Sequence, residues 1–454
     1  MFVANAATLS RLGGGLGADA VAAYEAALAA VEPGRLLSRA LAPLGPRCVS
    51  LLGRRLCGPV YLAGFGKMAR GMAEAAHRLL GDRLEAGVVI APRGQGGRVG
   101  PVEILEGDHP VPRGATLSSS RRLLDFISSL PGGSVLLVAV SGGGSSLFEI
   151  PAPGLEMSDV AETARLLMDA GADIYELNAV RKHLSRVKGG QLLRYIRRGV
   201  TMAGLYVSDV PGDRLDTIAS GPTVPDPTTF RDAYEALQRR KVWKKTPPRA
   251  RAWIEAGLRG EAPETPKPGD PLFAGTVNTL LAGNRDALHA AAGELRRRGY
   301  SVLVLTDTLR GEAREAARVL ASMIEGAYRG LPGLPRPAAI VAGGETTVTV
   351  RGGGIGGRNQ ELCLALALAL HRLRLAPRYL TLCAGSDGVD GVSPAAGAVV
   401  DEATIDRALQ MGLDPEDYLE RNDSYSFFKA LGQAVDTRGY TGINVNDIFI
   451  ALIP

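Results

Sequence analysis

The feature that most constrains this chain is a repeated punctuation. Short apolar runs end at Ala63, Val140, Val207, Leu305, Val341 and Cys383, and each passes into a cluster drawn from glycine, serine, aspartate and lysine. Uninterrupted apolar runs read as strands buried on both faces, the mark of a sheet covered by helices. In open α/β sheets the ligand crevice lies at the carboxyl edges of the strands. Packing alone does not put charged and glycine residues at so many strand ends. At 454 residues the chain exceeds one ordinary core. The fold class expected is therefore α/β, with two three-layer domains. A Rossmann-like N-terminal domain takes residues 1–245, a proline- and arginine-rich crossover takes 246–275, and a C-terminal domain takes 276–454, with an active-site cleft between them.

In the first half, a strand over 60–63 runs into Gly64-Phe65-Gly66-Lys67 and a helix over 68–80. This is neither the Walker pattern nor GxGxxG, so a structural turn and a phosphate site both remain open. Lysine is scarce. Eight lysines among 52 basic residues leave 52 − 8 = 44 arginines, which makes Lys67 in its glycine turn more conspicuous. The strand over 135–140 ends in Ser141-Gly142-Gly143-Gly144-Ser145, whose amides and hydroxyls could form an anion nest. His109, in the stiff loop Glu106-Gly107-Asp108-His109-Pro110, reads more readily as structural than as a proton carrier. Asn178, Arg181, Lys182, His183 and Lys188 lie on a helical stretch closed by Gly189-Gly190, and Lys188 again couples a cation with glycines. Asp209 directly follows a buried strand, where an aspartate can hold Mg²⁺, take a proton, or merely cap a turn.

In the second half, a strand over 338–341 stops at Gly343-Gly344 and delivers Glu345. A β-branched run over 346–350 and a glycine run over 352–357 follow, and Arg358-Asn359-Gln360-Glu361 opens an apolar helix. An arginine and an asparagine at a helix start suit a carboxylate or a phosphate. Asp387 and Asp390 sit among glycines after the strand over 379–383, without the further oxygens a calcium loop needs. Asn444 to Asp447 lead into a closing strand over 448–453.

Composition removes other classes. Net charge is only +5 and aromatic residues are 5%, too little for a nucleic-acid surface. Cys48, Cys57, Cys363 and Cys383 show no CxxC spacing, so buried thiols are expected. No secretory signal and no membrane-length apolar run is present, which points to the cytoplasm. Phosphoryl transfer fits the inventory best, because it needs cations, amides, carboxylates for Mg²⁺ and a group to orient the attacking hydroxyl.

Ordered blocks then carry a resemblance. GFGKMA at 64–69, EGDHPVP at 106–112, VSGGGSSL at 140–147, NAVRKHLSRVKGG at 178–190, SDVPGD and SGPTVPD within 208–226, GGETTVTVRG with GGRNQE, AGSDGVDG and NVNDI together resemble the class II glycerate kinases (glycerate 2-kinases), whose C-terminal part is the MOFRL domain. The resemblance implies an enzyme that moves the ATP γ-phosphoryl group to the 2-hydroxyl of D-glycerate with Mg²⁺, and it allows a homodimer. By motif, the catalytic lysine and arginine fall on Lys67 and Arg358, with Asp209 as the expected base. Lys67, Ser141, Gly142, Gly143, Gly144, Ser145 and Lys188 are expected at the nucleotide. Arg358, Asn359 and Asp387 are expected at the substrate, and Glu345, Asp387 and Asp447 at the metal. The chain departs from the family pattern at Ile355, where an arginine is common, and across 439–447. Two rivals are an NAD(P)H-dependent hydroxypyruvate reductase and a non-catalytic nucleotide or sugar-acid sensor.

Overall fold

A computed structural model describes residues 1–45, 47–373 and 378–454. The chain divides into two compact units, and their borders differ from those expected. One comprises Pro33–Ser208 and Asp213–Leu281; the other comprises Met1–Glu32, Asp209–Gly212 and Ala282–Pro454. The expected crossover is no linker. It contains the helix Pro248–Leu258, whose Trp253 donates its indole N–H to His183 O at 2.8 Å. Beyond that helix, Thr265 Oγ1 donates to the buried Asp226 at 2.9 Å.

The first unit opens with a small antiparallel sheet of β1 (Leu41–Pro43), β2 (Cys48–Leu51) and β3 (Arg54–Cys57). Cys48 and Cys57 face each other across β2 and β3 and form a disulfide, so they are not the buried thiols expected. Cys363 and Cys383 are free and buried.

The main sheet contains β4 (Val60–Phe65), β5 (Leu84–Pro92), β6 (Gly97–Val99), β7 (Val102–Gly107), β8 (Val135–Val140), β9 (Thr201–Val207) and β10 (Val277–Ala282). Its order is β10-β9-β8-β4-β5-β7-β6, and β9, β8, β4, β5 and β7 run parallel. Every side chain of β8 is buried, as its unbroken apolar sequence requires. From β4 the chain winds one way through β5 and β7, then returns to β8 and β9 on the other side. The topological switch therefore lies between β4 and β8, where such sheets bind ligands.

The second unit has one sheet of β11 (Ser301–Leu309), β12 (Ala338–Gly344), β13 (Leu380–Gly385), β14 (Gly397–Asp401), β15 (Ala434–Val435) and β16 (Asp447–Ile453). The order is β11-β12-β16-β13-β14-β15. Only β11 and β12 pair in parallel; β16 runs antiparallel to both β12 and β13. Asp447 consequently pairs with Gly344 on one side and Gly385 on the other. One strand enters at the edge where its two neighbours leave. The β-branched run after Glu345 forms no strand. Thr347 makes a single bridge to Glu312, and the glycines at 352 and 354 lie against Arg421 and Asp423.

The helix Leu16–Ala30 is apolar around most of its girth and is buried in this second unit. It packs along the helix Asn284–Arg297, and Tyr24 donates to Gly385 O at 2.6 Å.

Candidate active site

At the switch point, the turn after β4 and the loop after β8 clasp each other. Lys67 N–H donates to Gly142 O at 2.8 Å, and Met68 N–H donates to Ser141 Oγ at 3.1 Å. Gly66 has φ +126°, and a Cβ there would overlap the Ser141 hydroxyl. Only glycine allows this approach. Gly143 has φ +78°. A Cβ on it would lie 3.1 Å from the His109 ring and 3.2 Å from Lys67 Cγ. The lysine stem, the glycine-rich loop and the His109 loop thus meet at one point, although sequence reading had set His109 aside.

Two further residues support this loop. Ser145 Oγ lies 2.9 Å from Ser220 Oγ, and Ser220 donates to Asn178 Oδ1 at 2.8 Å. Ser220 and its neighbour Ala219 have positive φ, a strained backbone for residues with a Cβ. The signal for them was their place in the SGPTVPD and NAVRK blocks. No spacing rule would have linked positions 145, 178 and 220.

Lys188 stands elsewhere. It is 1% exposed, pairs with buried Glu149 at 2.8 Å and donates to Phe148 O at 2.7 Å. Burial depresses its pKa, against the pull of Glu149. A cation so enclosed ties β8's following loop to the helical segment and has its charge met by Glu149.

In the second unit, Arg358 begins the helix Arg358–Arg372 and turns its guanidinium to the strand edge. Nε donates to Asp447 Oδ2 at 2.6 Å, Nη2 to Asp447 Oδ1 at 3.1 Å, and Nη1 to Glu345 Oε1 at 2.6 Å. Asn359 Nδ2 donates to the same Asp447 Oδ1 at 2.9 Å. Behind them, Asp390 is buried and accepts from Asn359 N–H at 3.1 Å and Gln360 N–H at 2.8 Å. Burial, helped by the Asp447 charge, raises the Asp390 pKa to about 7 despite those N–H bonds and Arg358. Asp209 groups with this unit, and its Oδ2 accepts from Asn444 Nδ2 at 3.0 Å. The unit therefore assembles Asp209, Glu345, Arg358, Asn359, Asp447 and, beside Gly385, Asp387.

The carboxylates bear on a metal. Among the described residues no three His, Cys, Asp or Glu side chains form a cage. Glu345 and Asp447 are already engaged by Arg358. Yet a Cβ built on Gly385 would lie 3.3 Å from Asp387 Oδ1 and 3.5 Å from Asp447 Oδ1. Both carboxylate oxygens thus lie near Gly385, and Mg²⁺ takes one or two carboxylates and fills the rest with water and phosphate oxygens.

Residues 19–255 match a domain of unknown function, DUF4147, and residues 338–447 match the MOFRL family. A D-glycerate 2-kinase of Thermotoga maritima is 41% identical over 87% of this chain and 90% of its own. The chain belongs to the glycerate kinase family. A crystal structure of a glycerate kinase from Thermotoga maritima, 37% identical, matches with a TM-score of 0.82 over 96% of this chain and 99% of that one. A chain of Agrobacterium vitis, 39% identical over 92% of this chain and 93% of its own, bears the provisional name hydroxypyruvate reductase. Within the glycerate kinase family fold, the α/β class expected from the strand-end pattern is the one found.

Proposed function

We propose that this protein transfers the γ-phosphoryl group of ATP to the 2-hydroxyl of D-glycerate, giving 2-phosphoglycerate and ADP. Two different anion-binding devices, in a chain 41% identical to a D-glycerate 2-kinase, carry the reading. One is the lysine and amide nest at Lys67 and residues 141–145; the other is the oriented guanidinium of Arg358. Loose phosphoryl-transfer transition states need positioning and charge stabilisation more than covalent chemistry.

Lys67 and the nest hold the phosphates, with the Lys67 ammonium offsetting charge on the transferring group. Arg358 uses three of its five N–H donors on Asp447 and Glu345, which leaves two to grip the glycerate carboxylate or the γ-phosphate. Asn359, tethered to Asp447 and Asp390, orients the substrate. Asp209 accepts the hydroxyl proton while Asn444 fixes its carboxylate. Asp387 and Asp447, with Glu345 nearby, are the residues that would hold Mg²⁺, which when bound neutralises phosphate charge. The proposal includes a cytoplasmic enzyme and allows a homodimer. Among the described residues no helix is long and apolar enough to cross a membrane.

Phosphorus NMR of a reaction with ATP, Mg²⁺ and D-glycerate tests this. The expected product carries its phosphate on the 2-position; a 3-phosphoglycerate signal would move the acceptor hydroxyl. Oxidation of NADH by hydroxypyruvate with no ADP formed would replace the kinase by the reductase. Nucleotide binding with neither turnover would leave a sensor.

A further inference from the structure

Beside the His109 loop, the first unit holds a cavity of about 550 Å³ that the roles above do not use. Its lining is mostly apolar, with Pro110, Val111, Pro112, Met157, Ala161 and Met168, and carries charged groups as well, Arg113 and Glu162 among them. Arg181 lines the same space. Among the described residues this half-buried arginine makes no hydrogen bond and no ion pair. The carboxylate whose charge acts on it, Glu149, is already paired with Lys188. A guanidinium that lines an apolar hollow and has no protein partner binds an anion when one is offered.

We propose that this cavity receives the nucleoside end of ATP, with Arg181 reaching its α- or β-phosphate. The inference rests on the kinase reading, and it names a subsite that reading leaves open. Three observations favour this occupant. The wall at residues 110–112 continues directly from His109, whose ring lies at Gly143 beside Lys67. A nucleotide with its phosphates on the nest therefore has its sugar and base next to this wall. The volume lies in the ordinary range for nucleoside-sized ligands, roughly 300–1,000 Å³, and is far larger than a three-carbon acid needs. Proline and methionine faces also suit a flat heteroaromatic ring.

Two variants test it, Ala161→Trp, which fills the cavity, and Arg181→Met, which removes the charge while keeping an apolar stem. ADP and inorganic tripolyphosphate are titrated calorimetrically into wild type and both variants, and ATP and D-glycerate KM values are measured. Ala161→Trp is expected to weaken ADP binding and raise the ATP KM about tenfold or more, with tripolyphosphate affinity and the glycerate KM unchanged. Arg181→Met is expected to weaken ADP by about 10- to 100-fold, the loss typical of a charge-assisted bond. An ADP affinity within twofold of wild type in both variants overturns the proposal, as does a rise in the glycerate KM alone. Because ADP binding is read without turnover, this outcome stands apart from failure of the kinase reading. The latter would appear as wild-type protein that binds ADP in the cavity yet never phosphorylates glycerate.

Discussion

Arg358 is held by two carboxylates, and that arrangement fixes its direction more than it adds to stability. A guanidinium with a bidentate partner has a planar orientation that a lysine cannot copy. Arg358→Lys is expected to lower kcat/KM for glycerate about 100-fold or more, on the scale of lost transition-state donors, with Tm shifted by only a few degrees. A coupled ADP-release assay beside a thermal melt checks both halves. Asp390 carries a pH prediction. Its folded pKa of about 7 lies above the ordinary 3.8, so the folded state holds a proton that the unfolded chain has released. The stability from that proton is present at low pH and is lost as pH rises from about 4 through 7. Between about pH 5 and 7 the loss is of order 2–3 kcal/mol, and Asp390→Asn is expected to flatten that decline in Tm. Lys67 and Lys188 show what residue types disclose and what they hide. Both lie next to glycines in the sequence, but one rims a nest and the other is buried on Glu149. Nothing local could reveal Glu149 as a partner 39 positions away (188 − 149), because the pair is made by packing. Arg181 was read as part of a charged helix for the same reason.

At the scale of elements, glycine placement carries the argument. Gly66 approaches Ser141 so closely, at φ +126°, that Gly66→Ala must push the two loops apart. The expected outcome is a loss of about 2 kcal/mol in stability, from the left-handed backbone and the overlap, together with a raised ATP KM. Urea melts and steady-state kinetics measure the two effects. The strand over 135–140 was legible to the residue, and the helix over 68–80 to within one, because apolar period and breaker residues define them locally. Strand direction was less legible. The apolar runs at Val341 and Cys383 carried no mark of direction, and β16 lies between them and runs against both. An apolar strand buried on two faces reads alike in either direction. The β-branched run over 346–350 had strand propensity but no neighbour to pair with, and tertiary context overrode it. The Cys48–Cys57 bond was hidden because spacing does not reveal a cross-strand register.

For the molecule as a whole, Lys67 belongs to one unit and Arg358 to the other. If both serve one step, Lys67→Ala and Arg358→Ala should each remove nearly all turnover, and the double variant should lose little more. Independent, multiplicative losses in kcat would show that the two residues act in different steps. Fold class and the two-unit plan were legible from six strand ends and from length. The borders were not, because the Met1–Glu32 stretch carries no mark of the distant partner it packs against. That partnership has a consequence during synthesis. The helix Leu16–Ala30 leaves the ribosome early, but its docking surface on Asn284–Arg297 and the carbonyl that Tyr24 bonds are translated only after the whole first unit. A nascent chain therefore carries this apolar helix before its docking surface exists, which makes the helix a natural handle for a chaperone.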